Sequence, residues 1–486
     1  MYSSIVRRMR WGAVLALAAV TVIGLVGAAC NGGAGAATDS VYTEPLVAPP
    51  NVTPPVPRGT TTVVVSLTAE EKTAEIAPGV TYDTWTFNGS TPGPLIRATV
   101  GQTVEVRLTN PSTNTQTHNI DLHAVLGPGG GAGATTVAPG ETKVFSFRAT
   151  SAGLFTYHCA AGMVADHISN GMYGAILIDP ASGQDSVTHE YYVGQSELYT
   201  TGDTNVKGMQ NMDLTKMLDE QPTYVVFNGN TQSLIGNGAL QANVGDTVRL
   251  YFVDGGPSLT SSFHIIGEIF DKAWVAGSLE SPPLRGIQTI SVAPGSSTIV
   301  EMKTQVPGDY KLVDHAIIRV AKGAAGTLHV NGAANTSLFN SDSGVSGAAL
   351  NSHDMTMPTA TPSAATATPA ASPTAATTGT TATSPAAGSL AVEMKDNLFV
   401  TTQYTVKAGA KVTFAITNAG KIPHNMSVAG PNGNYADALA VTSDPQIIGG
   451  GKTGTLVWQA PTAPGTYDFQ CDFHPQQMTG TITVTP

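Results

Sequence analysis

The sequence predicts an all-β protein assembled from three copies of one Greek-key β-sandwich. Three observations carry that prediction. Charged residues make up only 12% of the 486 positions, against 53 Gly and 31 Pro, a composition that suits short strands joined by many turns. A chain of this length exceeds a single core and implies two to four domains. Finally, one pattern of strand, turn and histidine recurs three times along the chain.

Each copy opens on a Gly turn followed by period-2 alternation, as a half-buried strand requires. The three openings are Val100-Gly101-Gln102-Thr103-Val104, Val244-Gly245-Asp246-Thr247-Val248 and Ala408-Gly409-Ala410-Lys411-Val412. A histidine follows in each: His118, His264 and His424. Next comes a turn at Pro139-Gly140, Pro294-Gly295 and Gly449-Gly450, and then a Gly with an aromatic close behind, at Gly153, Gly308 and Gly465. Six residues beyond those glycines stand Cys159, Asp314 and Cys471. The resulting domains are 60–181, 182–335 and 390–486. Residues 336–389 are rich in Thr, Ala, Pro and Ser with almost no charge, and read as a semi-extended linker.

Ahead of the first domain, Arg7, Arg8 and Arg10 precede an apolar run over residues 11–26 that ends in Gly27-Ala28-Ala29-Cys30. The segment 1–30 is similar to a bacterial lipoprotein signal. That likeness implies a lipid on Cys30, a tether over 31–59, and a place on the outer face of the cytoplasmic membrane or otherwise outside it. An uncleaved span or an ordinary cleavage site is the plainer reading; each exports the protein. The formal net charge of -11 argues against nucleic acid as a partner.

The chain has three cysteines. Cys159 and Cys471 each have a His and a Met shortly after them, which favours metal thiolates over a disulfide. A thiolate, two imidazoles and a weak thioether make a blue-copper electron-transfer site. In the first domain His118, Cys159, His167 and Met172 supply that set. Strand neighbours point to opposite faces, so His158 faces away from Cys159, and His123, five residues after His118, faces away from it. His123 and His158 are then two of the ligands of an imidazole-only site. The candidate for the third is His315, one residue past Asp314. Asp314 stands where a thiolate would be needed, so the second domain has lost its own blue site. A lone histidine is more often structural than a ligand, but six ligands in two short runs with alternating facing are not explained that way.

Residues 60–335 resemble the two-domain copper nitrite reductases. The runs that carry the resemblance are His118 to His123, Gly129-Gly130-Gly131-Ala132, Tyr157-His158-Cys159, Gly171-Met172, Phe263-His264-Ile265-Ile266-Gly267 and Val313-Asp314-His315. The resemblance implies cupredoxin-type domains in a homotrimer. It implies a type 1 copper on His118, Cys159, His167 and Met172. It also implies a nitrite-binding type 2 copper on His123 and His158 of one subunit with His315 of its neighbour. Asp121 and His264 would be the acid–base pair above that copper, and Ile266 would shape the pocket. Two departures fall at the rim of the blue site: the Cys159–His167 loop is one residue shorter than in familiar members, and Ala165-Asp166 replaces Pro-Trp. The third domain resembles plastocyanin-like cupredoxins, which implies a second type 1 copper on His424, Cys471, His474 and Met478. Gln470 precedes Cys471 where His158 precedes Cys159, so this domain only carries electrons, as a tethered donor.

The expectation is therefore two type 1 coppers and one type 2 per chain, reduction of nitrite to nitric oxide, and an external donor such as a small redox protein or cytochrome. Protons would come from Asp121 and His264, a carboxylate and an imidazole being the side chains suited to that task. Two other functions compete. An exported, non-catalytic blue-copper lipoprotein explains the first and third domains but not His123, His158 and His315 together. A laccase-like oxidase needs His-x-His pairs and a His-Cys-His run; the chain has neither, and Ala160 follows Cys159.

Overall fold

The computed structural model describes residues 39–340, 382–383, 389–430, 433, 435, 440–474 and 477–486. The signal segment with Cys30 and most of the linker lie outside the described residues. Among the described residues no helix is long and apolar enough to cross a membrane.

Three all-β sandwiches follow one another. In the first, the strand Thr62–Ala77 runs antiparallel to Val80–Phe87 and parallel to Thr103–Thr109, which pairs in turn with Thr142–Arg148. The facing sheet orders Ile96–Thr99, Tyr173–Asp179, Gly153–His158 and Asp121–Leu122. The second sandwich repeats this with Thr247–Gly256 against Ser296–Lys303, and Gly308–Asp314 between Ala325–Asn331 and Ser261–Ile266. The third does so with Lys411–Asn418 against Thr453–Gln459, and Gly465–Gln470 against Thr479–Thr485. The three Gly-led openings thus become equivalent strands, as do the three segments that end at Cys159, Asp314 and Cys471.

Alternation explains the first and third of those strands. Val104, Val106 and Leu108 point inward on Thr103–Thr109, and Val412, Phe414 and Ile416 on Lys411–Asn418. The second departs from the half-buried expectation: Thr247–Gly256 is buried on both faces. Leu250 and Phe252 enter its own core, while Tyr251 and Val253 pack with Leu154, Tyr173 and Tyr192 in a cluster shared by the first two sandwiches. A buried charge network crosses the same junction, from Asp179 through Arg97, Glu190 and Arg249 to Glu301.

The tether expected over 31–59 is corrected from Ser40 onward. Val41–Thr43 pairs with Thr62–Val64, Glu44 is buried and accepts from Arg97 N at 2.5 Å, and Pro50 O accepts from Tyr192 N. The proline-rich composition of this stretch conceals side chains and carbonyls that complete the junction.

Candidate metal centres

The strand Gly153–His158 delivers His158 at its last position and Cys159 one residue beyond. Cys159 is fully buried against the core. Its Sγ lies 3.9 Å from His118 Nδ1, and His167, on the short helix Val164–Ser169, completes the cluster. Met172 is fully buried beside them, and its carbonyl accepts from Cys159 N at 3.0 Å. The third sandwich repeats the set. Cys471 Sγ lies 3.8 Å from His424 Nδ1 and 3.6 Å from His474 Nδ1, and Met478 O accepts from Cys471 N at 2.9 Å.

Both sets suit copper. His167 Nδ1 is buried with no hydrogen-bond partner, a costly state for a polar atom unless it is a ligand. Burial pushes the Cys159 thiol up to about 12 and the Cys471 thiol up to about 11. It drives His167 well below the usual imidazole range, with His118 and His474 adding to the effect. A cation at the centre reverses the thiol preference, because a coordinating thiol is deprotonated outright.

His123 and His158 meet on the other side, as alternation requires. Their Nε2 atoms are 3.2 Å apart. His158 Nδ1 is 3.0 Å from Cys159 O, a contact that needs a proton on Nδ1 and leaves Nε2 as a lone pair. His123 lies against Gly295 of the second sandwich, where a Cβ would stand 3.3 Å from its Cε1, and partial desolvation of the ring together with neighbouring His158 lowers its basicity. Two converging imidazole nitrogens fit a metal ion between them. Asp121 completes this cluster and pairs across the sheet with His158. Gly130, at φ +54, presses on it: a Cβ there would stand 1.8 Å from Asp121 Oδ1, so the glycine turn fixes the carboxylate's position.

His315 and His264 are placed elsewhere on the chain, and neither joins the Asp121, His123, His158 group. They face each other with ring centroids 5.3 Å apart. His264 Nδ1 lies 2.6 Å from Gln288 O, and Ile266 follows two residues on along the same strand face. Asp314 is fully buried. It pairs with Arg319 at 2.6 Å and accepts from Gln195 Nε2 and from the backbone N–H groups of Ser262 and Ala316. The residue at the cysteine's position in the repeat therefore anchors the turn that presents His315, whose own N–H donates to Ser262 O at 2.7 Å.

Sequence reasoning missed several supporting groups. Glu71 Oε1 sits 3.1 Å from His118 Nε2, and its carboxylate also accepts from the N–H groups of Thr115 and Gln116. The matching Nε2 of His424 is buried without a partner. Trp85 packs edge-on against His118 and His167. Nothing local marks Glu71 or Trp85. Asn119 was legible: it follows His118 as Asn425 follows His424. Each asparagine N–H donates to the cysteine sulfur, at 3.4 and 3.5 Å, and each Oδ1 accepts from the residue after that cysteine.

The family model described as multicopper oxidase matches residues 68–183, and the cupredoxin-like domain model matches 366–484. The copper-containing nitrite reductase of Neisseria gonorrhoeae is 46% identical over 302 residues, 62% of this chain and 76% of that protein. The one from Rhizobium meliloti is 36% identical over 362 residues, 69% of this chain and 96% of that protein. Among solved structures, a copper nitrite reductase from Nitrosomonas europaea aligns with a TM-score of 0.51 at 32% identity, over 56% of this chain and 95% of that one. A Cu-containing nitrite reductase from Thermus scotoductus aligns over 87% of this chain and 99% of its own, with a TM-score of 0.52 at 24% identity, a likeness of fold.

Proposed function

The chain belongs to the copper-containing nitrite reductases, and from that premise we propose that it forms nitric oxide at a site completed between subunits. One observation carries the proposal: a single chain holds two half-sites. Asp121, His123 and His158 make one, and His264 with His315 the other. His123 and His315 are both exposed, and apolar residues stand open close behind each along the chain, Leu126 after the first, Ile317 and Ile318 after the second. Exposed apolar side chains flanking incomplete polar sites fit a homotrimer interface.

The residues divide the work. His123 and His158 of one subunit and His315 of the partner subunit would hold a type 2 copper. Bound there, copper would offer nitrite an open coordination position and one electron. The balance is nitrite plus one electron plus two protons, giving nitric oxide and water. Asp121 and His264 deliver the protons, and Ile266 limits the pocket to a small anion. His118, Cys159, His167 and Met172 would hold a type 1 copper able to supply that electron, and the single peptide link between Cys159 and His158 joins the two ligand sets. The third sandwich, with its type 1 set of His424, Cys471, His474 and Met478, is the attached donor, replenished by an external redox protein. We further propose export through the 1–30 signal and anchoring through Cys30.

Copper per chain with optical and paramagnetic spectra, followed by nitric oxide release from nitrite with a reduced dye, tests this reading. Three coppers, two of them blue, with nitric oxide formed is the expected result. Two blue coppers and no nitric oxide would reduce the protein to an electron carrier. Light scattering should give a trimer.

A further inference from the structure

The third sandwich is docked on the first, and the contact falls on the ligand loops of both. Asn397 Nδ2 donates to Thr115 O at 2.9 Å, and Gln477 Nε2 to Thr117 Oγ1 at 3.0 Å. These two threonines lie in the stretch that leads into His118. Gly162, in the Cys159–His167 loop and at φ +52, also lies against the third sandwich: a Cβ there would be 3.2 Å from Phe473 O and 3.7 Å from His167 Nε2. Ile447 joins Met163 and Ala165 on a small cluster around Tyr199, Leu214 and Met217. What remains between the sandwiches is a cleft of about 280 Å³ that His167 and His474 both line. His167 is only 5% exposed, so a second protein could not approach it while Phe473 and Gln477 stay in place.

We propose that the third sandwich is a lid as well as a carrier. Docked, it closes the His167 face of the first sandwich, so that electrons from an outside donor protein reach the Cys159 site only by way of the Cys471 site, across the His474–His167 cleft. The inference rests on the reading of this sandwich as the attached donor and adds that it excludes every other donor while docked. The short loop with Ala165-Asp166 suits the role, because Ala165 packs on the same small cluster as Ile447 and takes little of its surface. The polar contacts are few, yet the linker over 336–389 holds the lid at a high effective concentration, so weak docking suffices. The step balances without protons: the one electron lost by the reduced Cys471 site is gained by the oxidised Cys159 site, and the outside protein restores it.

The test uses the full, copper-loaded chain and a reduced cytochrome as the outside donor. Cys471→Ser removes the third site's thiolate and leaves the Cys159 chromophore alone to be followed by stopped-flow absorbance. With the lid closed about ten times more often than open, this variant should be reduced about tenfold more slowly, since only the open fraction reacts. Adding Asn397→Ala and Gln477→Ala removes two hydrogen bonds. That should shift the closed-to-open ratio by about tenfold, restore most of the rate and expand the particle in small-angle scattering. Ile447→Glu provides a second way to open the lid if the particle stays compact. Cys471→Ser reduced as fast as the unaltered chain would overturn the donor reading itself. An expanded particle that is still reduced slowly would overturn the lid and leave the donor reading standing.

Discussion

Replacing Asp314 by alanine should damage both the second sandwich and the site its neighbour His315 serves. The side chain is fully buried. Its loss strands the Arg319 guanidinium, the Gln195 amide and the N–H groups of Ser262 and Ala316, all of which now donate to it. Removing one partner of a buried ion pair costs about 3–5 kcal/mol. Arg319 is 17% exposed and can recover some hydration, which places the loss near the low end, about 3 kcal/mol. For a domain of this size that lowers the transition temperature by about 6–12 °C. The same change frees the turn between Ser262 and Ala316, and loosening the support of a ligand typically costs 10–100-fold in metal affinity, by order of magnitude about what a second partner contributes. Calorimetry reads the first effect and the paramagnetic signal of the non-blue copper reads the second. Asp314→Asn, which keeps an acceptor for the two amides, should fall between. A transition lowered by less than about 2 °C with the non-blue signal intact would refute this account of Asp314.

Asp121→Asn should leave copper content unchanged and lower turnover by about 10²–10⁴-fold, the range for a lost general acid–base group; near-normal turnover would sink its role. Glu71→Gln should destabilise the first sandwich by about 1.5–3 kcal/mol, the worth of a charge-assisted hydrogen bond, and should raise the potential of the Cys159 site, because an amide pushes less electron density onto His118; redox titration of that chromophore decides. Glu190 is opposed by burial, yet Arg97, Tyr251 and Arg249 hold its carboxyl below the usual range. A lowered folded-state value means stabilisation that is present above the ordinary carboxylate range and lost as pH falls through the lowered one. The junction of the first two sandwiches should therefore weaken in acid, and Glu190→Gln should flatten that acid limb in pH-dependent denaturation; an unchanged limb would remove Glu190 from the explanation.

Much of this molecule was legible in its sequence for a local reason. Strand alternation alone places His158 and Cys159 on opposite faces, and the structure sets them there, one beside His123 and the other beside His118 and His167. The threefold recurrence fixed which strand ends at Cys159, Asp314 and Cys471, and so placed Asp314 where the other two sandwiches have a cysteine. Both results depend on spacing within a few residues, which the backbone geometry of a strand dictates. Other features depend on segments far apart in the chain and carry no local signal. Glu71 reaches His118 across 47 positions, Gly295 of the second sandwich lies against His123, and Asn397 and Gln477 seat the third sandwich on Thr115 and Thr117. The sequence by itself determined the sandwiches and the grouping of His118, Cys159 and His167, of His424, Cys471 and His474, and of His123 with His158, because strand period and turn spacing are properties of neighbouring residues. Only the tertiary structure decided what supports those ligands and which faces of them stay open, because packing between distant segments sets both.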